Sequence, residues 1–226
     1  MKKEIFVTED GSHTLVIPEI DESYHSTHGA INESKHIFIE AGYKKIDKQI
    51  EPLKIFEVGF GTGLNAFLTY HQAVEHKRKV QYVSVEPYPI TEELYSKLNY
   101  SDALGDAKCG SVFQKMHQVG WDFPFVISDY FVLNKLKAKV QDVEIGEGQF
   151  HVIYFDAFSP STQEEMWSEE IFKKCYDALV EGGVLVTYSA QGQMKRNLKA
   201  AGFKVEGLPG PKGKREITRA IKFKNL

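Results

Sequence analysis

The stretch FEVGFGTGLNAF, Phe56 to Phe67, decides how the rest of the chain is read. It opens as a short apolar strand with one acidic residue, Glu57, set inside it. Gly59, Gly61 and Gly63 then alternate strictly, and Leu64, Phe67, Leu68, His71 and Val74 follow at the spacing of one helical face. Strand, glycine turn and helix in that order open a parallel α/β unit, whose ligands bind beyond the carboxyl ends of the strands. The spacing G-x-G-x-G is not the G-x-G-x-x-G that seats a pyrophosphate on a helix N-terminus.

The pattern continues on both sides. Upstream, IFVTEDGSHTLVI (5–17) reads as a hairpin turning at Asp10-Gly11, and 23–43 as a structured loop entering an amphipathic helix. Downstream, VQYVSVE (80–86) is a second strand, residues 87–124 mix helix, loop and a short strand, and FPFVISDYF (123–131) is a brief third strand. FHVIYFDAF (150–158) is a buried strand ending at Asp156. A helix follows, with Ser161 and Glu164 at capping-box spacing, Trp167, Ile171, Cys175 and Ala178 as its core stripe, and Gly182-Gly183 closing it. VLVTYS is another strand, QMKRNLKAAG a helix, and FKVEGL with EITRAIKF an antiparallel pair. The expectation is an α/β fold: a Rossmann-like, mainly parallel sheet over 51–226 with an antiparallel C-terminal strand, and a small hairpin extension over 1–50.

Composition sets the outer limits. A chain of 226 residues, 42% apolar and 12% aromatic, supports one α/β domain with an appendage rather than a disordered chain. No apolar run reaches the roughly 18 residues that span a bilayer, and MKKEIFVTEDG lacks the apolar core of a secretory signal. Cys109 and Cys175 have no zinc-like spacing, and HSTH with His36 has neither the helical pair nor the cysteines of a metal motif, so a reduced cytoplasmic protein without metal is expected. The net charge of −3 is uneven: Lys195–Leu226 holds ten basic and two acidic residues, and the remainder 18 and 29. A basic tract on an acidic body suits a local polyanion contact; a solvated face is the competing reading.

Four strand ends carry the chemistry. An acidic residue before G-x-G-x-G is what S-adenosylmethionine methyltransferases present, for a cofactor with no phosphate. Glu86, 23 residues beyond Gly63, is placed to accept both ribose hydroxyls, and Asp129 to meet an adenine amino group, against the plain alternative of surface carboxylates. Methyl transfer to nitrogen needs a lone pair in line with the sulfur–methyl bond, and the Asp156 carboxylate in FDAFSP can hold an amine's hydrogens. Phe158 offers cover for a planar substrate or a sulfonium, with Ser159 and Pro160 beside it. This resembles in role the Asp/Asn-Pro-Pro-aromatic segment of amino-methyltransferases; the bland alternative for Asp156 is a turn cap.

FEVGFGTGLN, SVEPYP, FDAFSP, EEMWSEEIF, GGVLVTYSA and GPKGKREI occur together and in order. In this the chain resembles the methyltransferase domain of the MnmC-type tRNA 5-methylaminomethyl-2-thiouridine biosynthesis enzymes. Tyr24, Ser26, Gly29, Glu33, His36 and Phe38 fit the same family. The resemblance implies S-adenosyl-L-methionine as cofactor, held by Glu57, Gly59, Phe60, Gly61, Thr62, Gly63, Glu86, Asp129 and Asp156. Asp156 would also face the amine. Tyr24, Phe158, Ser159 and Pro160 would meet the substrate, with Lys212, Lys214 and Arg215 toward a tRNA anticodon loop. The implied reaction is N-methylation of the aminomethyl group of 5-aminomethyl-(2-thio)uridine at the wobble position. Bifunctional members continue into an FAD-dependent oxidase domain, whereas this sequence stops at Leu226, so a stand-alone form with no flavin, no membrane partner and a monomeric state by default is expected. Methylation of a small-molecule amine and a non-catalytic cofactor-binding subunit are the alternatives.

Overall fold

The computed structural model describes residues 1–223. The chain opens with β1 (Glu4–Val7), β2 (His13–Ile17) and β3 (Glu22–Ser23), an antiparallel three-stranded sheet rather than the expected hairpin. Helix α1 (Ala30–Ser34) runs on as a wider π-type turn over Lys35–Glu40, which buries Ile37, Phe38 and Ile39. The main domain then alternates β4 (Leu53–Val58), α2 (Leu64–Glu75) and β5 (Val80–Val85). Short helices α3 (Glu92–Tyr95) and α4 (Tyr100–Ala103) lead to α5 (Gly110–Gln118), and β6 (Pro124–Ser128) and β7 (Phe131–Leu136) follow. The chain ends with β8 (Phe150–Phe155), α6 (Glu169–Ala178), β9 (Leu179–Thr187), α7 (Gly192–Ala200), β10 (Lys204–Pro209) and β11 (Glu216–Ile221).

The eight-stranded sheet has the order β10-β11-β9-β8-β4-β5-β7-β6, with β9, β8, β4, β5 and β7 parallel. Order reverses beside β4, between β5 and β8, which is where an open α/β sheet leaves a crevice for ligands. The central strands are apolar on both faces because helices cover both. Ile55, Tyr82, Val152, Tyr154 and Val186 face one layer, with Phe38 and Phe67; Phe56, Ile153, Phe155 and Leu185 face the other, with Trp167, Phe172 and Leu198.

Three local expectations change. FPFVISDYF is a hairpin: β6 runs antiparallel along the sheet edge, Asp129 and Tyr130 make the turn, and β7 is the parallel strand. Helix α6 starts later than the Ser161/Glu164 pair suggests, because Ser168 is its N-cap and accepts from Ile171 N. Gly182 and Gly183 lie inside β9, at an irregularity against β8, rather than after the helix. The core stripe Trp167, Ile171, Cys175, Ala178 is buried as expected.

Candidate active site

The glycine loop and two strand tips meet through backbone hydrogen bonds. Gly59 N donates to Val85 O at 3.0 Å and Asp156 N to Val58 O at 3.0 Å, so the ends of β5, β4 and β8 stand side by side. Gly59 has φ +92°, and a Cβ there would lie 2.6 Å from Asp156 O. Only glycine lets these two strand ends approach so closely. Gly61 N donates to Glu86 Oε2 at 3.0 Å, and Tyr88 N to Glu86 Oε1 at 2.8 Å. Each carboxylate oxygen of Glu86 thus holds one amide and keeps a lone pair. Burial raises its pKa.

Above these tips lies a cavity of about 800 Å³. Gly59, Phe60, Gly61, Thr62, Glu86 and Asp156 line it, and so do Tyr24, Phe158, Ser159 and Lys214. The segment after Asp156 is fixed from three directions: Tyr188 Oη donates to Ala157 O (2.9 Å), Trp167 Nε1 to Phe158 O (2.8 Å), and Gln163 accepts from Phe158 N (3.1 Å). Asp156 Oδ2 accepts from Asn65 Nδ2 at 2.8 Å. Burial pushes the Asp156 carboxyl up to about 7, with Glu33 adding to the rise and Asn65 and Lys214 opposing it.

The remaining predicted residues fall elsewhere. Glu57 is fully buried beneath the loop, its Oε2 accepting from Ser84 Oγ at 2.7 Å, and it does not line the cavity. Burial pushes its carboxyl up to about 8. Gly63 is the N-cap of α2 at φ +75°; a Cβ there would press on His117, whose Nε2 lies 3.0 Å from Thr62 O. Asp129 is a correction: it sits exposed in the β6–β7 turn, beside Val80 at the start of β5, whereas Glu86 follows its end. The segment beyond the carboxyl end of β7 supplies the wall instead, through Lys139, Val140, Gln141 and Asp142.

Pro160, Lys212 and Arg215 are outside the cavity lining. Lys212 pairs with Glu9, and Arg215 is exposed. Lys214 points inward, pairing with Glu33 at 3.3 Å and lying 4.5 Å from the Tyr188 ring centre. Much of the basic tract is spent internally: Lys195 pairs with Glu216, Arg219 with Glu206, and Lys222 donates to Leu179 O. The histidines do not converge: His25 meets Thr14, His28 meets Glu9, and His36 meets Pro209 O.

The N-terminal sheet, unmarked by any motif, forms a wall. Met1, Lys3 and Glu22 line the cavity. Glu22 accepts hydrogen bonds from Ser159 and Thr162, holding β3 to the segment after Asp156. Tyr24 packs edge-on to Phe158 with ring centres 5.1 Å apart.

The donors and acceptors suit S-adenosyl-L-methionine. The volume lies within the about 300–1,000 Å³ of small-molecule sites. Glu86 presents carboxylate oxygens at the cavity wall, the kind of acceptor that ribose hydroxyls need, and the glycine loop offers backbone there rather than a basic phosphate clamp.

Residues 127–223 match a family of S-adenosyl-L-methionine-dependent methyltransferases. Over 231 residues the chain is 31% identical to the tRNA 5-methylaminomethyl-2-thiouridine biosynthesis bifunctional protein MnmC of Cupriavidus metallidurans, covering 96% of this chain and 33% of that protein. The corresponding protein of Leptospira interrogans is 27% identical, over 90% of this chain and 33% of its own length. The chain spans about a third of the length of these curated relatives. Among solved structures, MNMC2 from Aquifex aeolicus superposes with a TM-score of 0.76 at 26% identity, covering 97% of this chain and 70% of that one. Spermidine synthase from Thermotoga maritima shares the fold, at TM-score 0.58 and 16% identity, with 96% and 67% covered. No helix among the described residues is long and apolar enough to cross a membrane. Residues 127–223 are thus a segment of the S-adenosyl-L-methionine-dependent methyltransferase family, with S-adenosyl-L-methionine as the cofactor, and the chain is similar over nearly its whole length to about a third of the MnmC proteins.

Proposed function

We propose that the protein methylates the aminomethyl nitrogen of 5-aminomethyl-(2-thio)uridine at the tRNA wobble position, giving 5-methylaminomethyl-(2-thio)uridine. In this reading residues 51–226 are the catalytic unit and residues 1–50 its cover. The observation that carries it is the Asp156 carboxylate at the tip of β8, beside the glycine loop and facing a cavity with an aromatic rim. When bound, S-adenosyl-L-methionine supplies an electrophilic methyl group on a sulfonium. Glu86 would accept from its ribose hydroxyls, and the backbone of 59–62, which lines the cavity, would form its bed. Ionised Asp156 accepts an N–H of the amine and turns the nitrogen lone pair toward the methyl group; it also takes the proton of an amine that arrives charged. Tyr24, Phe158 and Tyr188 cover the base and exclude water, and Glu33 with Lys214 completes the polar side of the cavity. Relatives whose names concern tRNA 5-methylaminomethyl-2-thiouridine biosynthesis support this acceptor.

Methylation of a small amine is the second reading, favoured by the internal pairing of Lys195, Lys212, Lys214 and Arg219, which leaves fewer cations for RNA. Incubating the protein with S-adenosyl-L-methionine and tRNA bearing 5-aminomethyluridine, then measuring nucleosides by mass spectrometry, separates the two. A gain of one methyl group on the wobble nucleoside supports the first; methylation of polyamines alone refutes it.

A further inference from the structure

Asn65 is the second residue of α2, immediately past the glycine loop, and is 3% exposed. Its side chain lies between two buried carboxylates. Nδ2 donates to Asp156 Oδ2 at 2.8 Å, and Oδ1 of the same amide is buried without a partner. Glu57 is anchored behind it by Ser84 and has one oxygen, Oε1, with no partner. The backbone carbonyl of Asn65 is fixed in turn by Thr69 Oγ1 at 2.7 Å. A neutral amide can donate to one buried carboxylate near a second without adding a further charge. A helix-forming surface residue would not need burial at this place.

We propose that Asn65 is a positioning residue for methyl transfer: its amide, held on the first turn of α2, pins Oδ2 of Asp156 and so orients the carboxylate that receives the amine. The proposal rests on the reading of Asp156 given above. Asn65 sits at the join of cofactor loop and helix, so the cofactor bed and the amine acceptor are set by one rigid turn. The other titratable groups facing Asp156 are Glu33 from α1, Lys214 from the β10–β11 loop, Glu57 from β4, Tyr82 from β5 and Tyr188 after β9.

The test pairs kinetics with a readout that needs no substrate. Asn65→Ala and the isosteric Asn65→Asp are compared with the wild type, and the Asp156 carboxyl carbon, assigned with Asp156→Asn, is titrated by NMR. Loss of the donor favours the neutral carboxyl, so its midpoint is expected to rise by about one pH unit in Asn65→Ala, and further in Asn65→Asp. Turnover on tRNA is expected to fall at least about tenfold, while S-adenosylhomocysteine affinity stays within about twofold. An unmoved midpoint in a folded variant, or cofactor affinity lost in step with turnover, overturns the proposal. Asp156→Ala is measured in parallel: wild-type turnover there refutes the role of Asp156, whereas the titration still decides whether Asn65 holds it.

Discussion

Lys214 stands inside the cavity, with its ammonium 3.3 Å from Glu33 Oε2 and 4.5 Å from the centre of the Tyr188 ring. Glu33 Oε1 in turn accepts from Ser26 N at 2.8 Å. The ion pair therefore ties the β10–β11 loop to the segment between β3 and α1, across the mouth of the site. Removing the cation leaves Glu33 buried beside Asp156 with its charge uncompensated.

Lys214→Ala is expected to lower the thermal midpoint and to weaken tRNA binding. Adding Glu33→Gln restores the midpoint, because the orphaned charge is gone, but not the tRNA affinity. Thermal unfolding and binding assays on the single and double variants check this; a midpoint unchanged in Lys214→Ala contradicts the pairing.

Gly59 and Gly182 form a matched pair of substitutions. Both have positive φ, but a Cβ at Gly59 meets Asp156 O at 2.6 Å, whereas nothing lies within 4 Å at Gly182. Gly182→Ala should cost only backbone strain, about 1–3 kcal/mol. Gly59→Ala should add a clash that separates the β4 and β8 tips and abolish binding of S-adenosylhomocysteine. Calorimetry on the two variants distinguishes strain from loss of the site.

The pH dependence has a defined sign. Burial raises Glu57 to about 8 and Asp156 to about 7 in the folded chain, above their unfolded values. The native state then holds more protons than the unfolded state between about pH 4 and 8, so these groups' contribution is full at low pH and is lost as pH rises. The slope is at most about 1.4 kcal/mol per pH unit for each proton. Glu57→Gln should flatten it, as seen in denaturant unfolding at pH 5 to 8. Turnover should move oppositely, falling below about pH 7 as Asp156 takes up its proton.

Arg215 is exposed in the β10–β11 loop, next in sequence to the cavity-lining Lys214, with its backbone carbonyl accepting from Gly210 N. Arg215→Ala is expected to reduce the slope of log affinity for tRNA against log salt by about one unit, leaving cofactor affinity intact. An unaltered slope assigns the RNA contact elsewhere.

What the sequence made legible was whatever depends on neighbours in the chain. The glycine turn, Glu86 and FDAFSP each lie at a strand end, and apolar runs mark strand ends well. Asp129 was misplaced because SDY interrupts one apolar run without glycine or proline, hiding a hairpin whose first strand runs the other way. Glu57 looked like a ligand because acidic residues are costly inside strands; its buried partner Ser84 sits on the adjacent strand. Lys214 looked like a surface cation because its partner, Glu33, is some 180 positions earlier. The wall built by Met1, Lys3 and Glu22 left no local mark at all.

The contact between Gly59 and the Asp156 carbonyl also limits redesign. Any side chain at residue 59 presses on the backbone carbonyl of Asp156, so the ends of β4 and β8 cannot be varied there without being pushed apart. Libraries aimed at a new acceptor therefore belong at lining positions that hold none of the strand-tip contacts. At Gln141 and Met166 the shape of the cavity can be changed by side chains while the anchors at Tyr188, Gln163 and Lys214 stay in place.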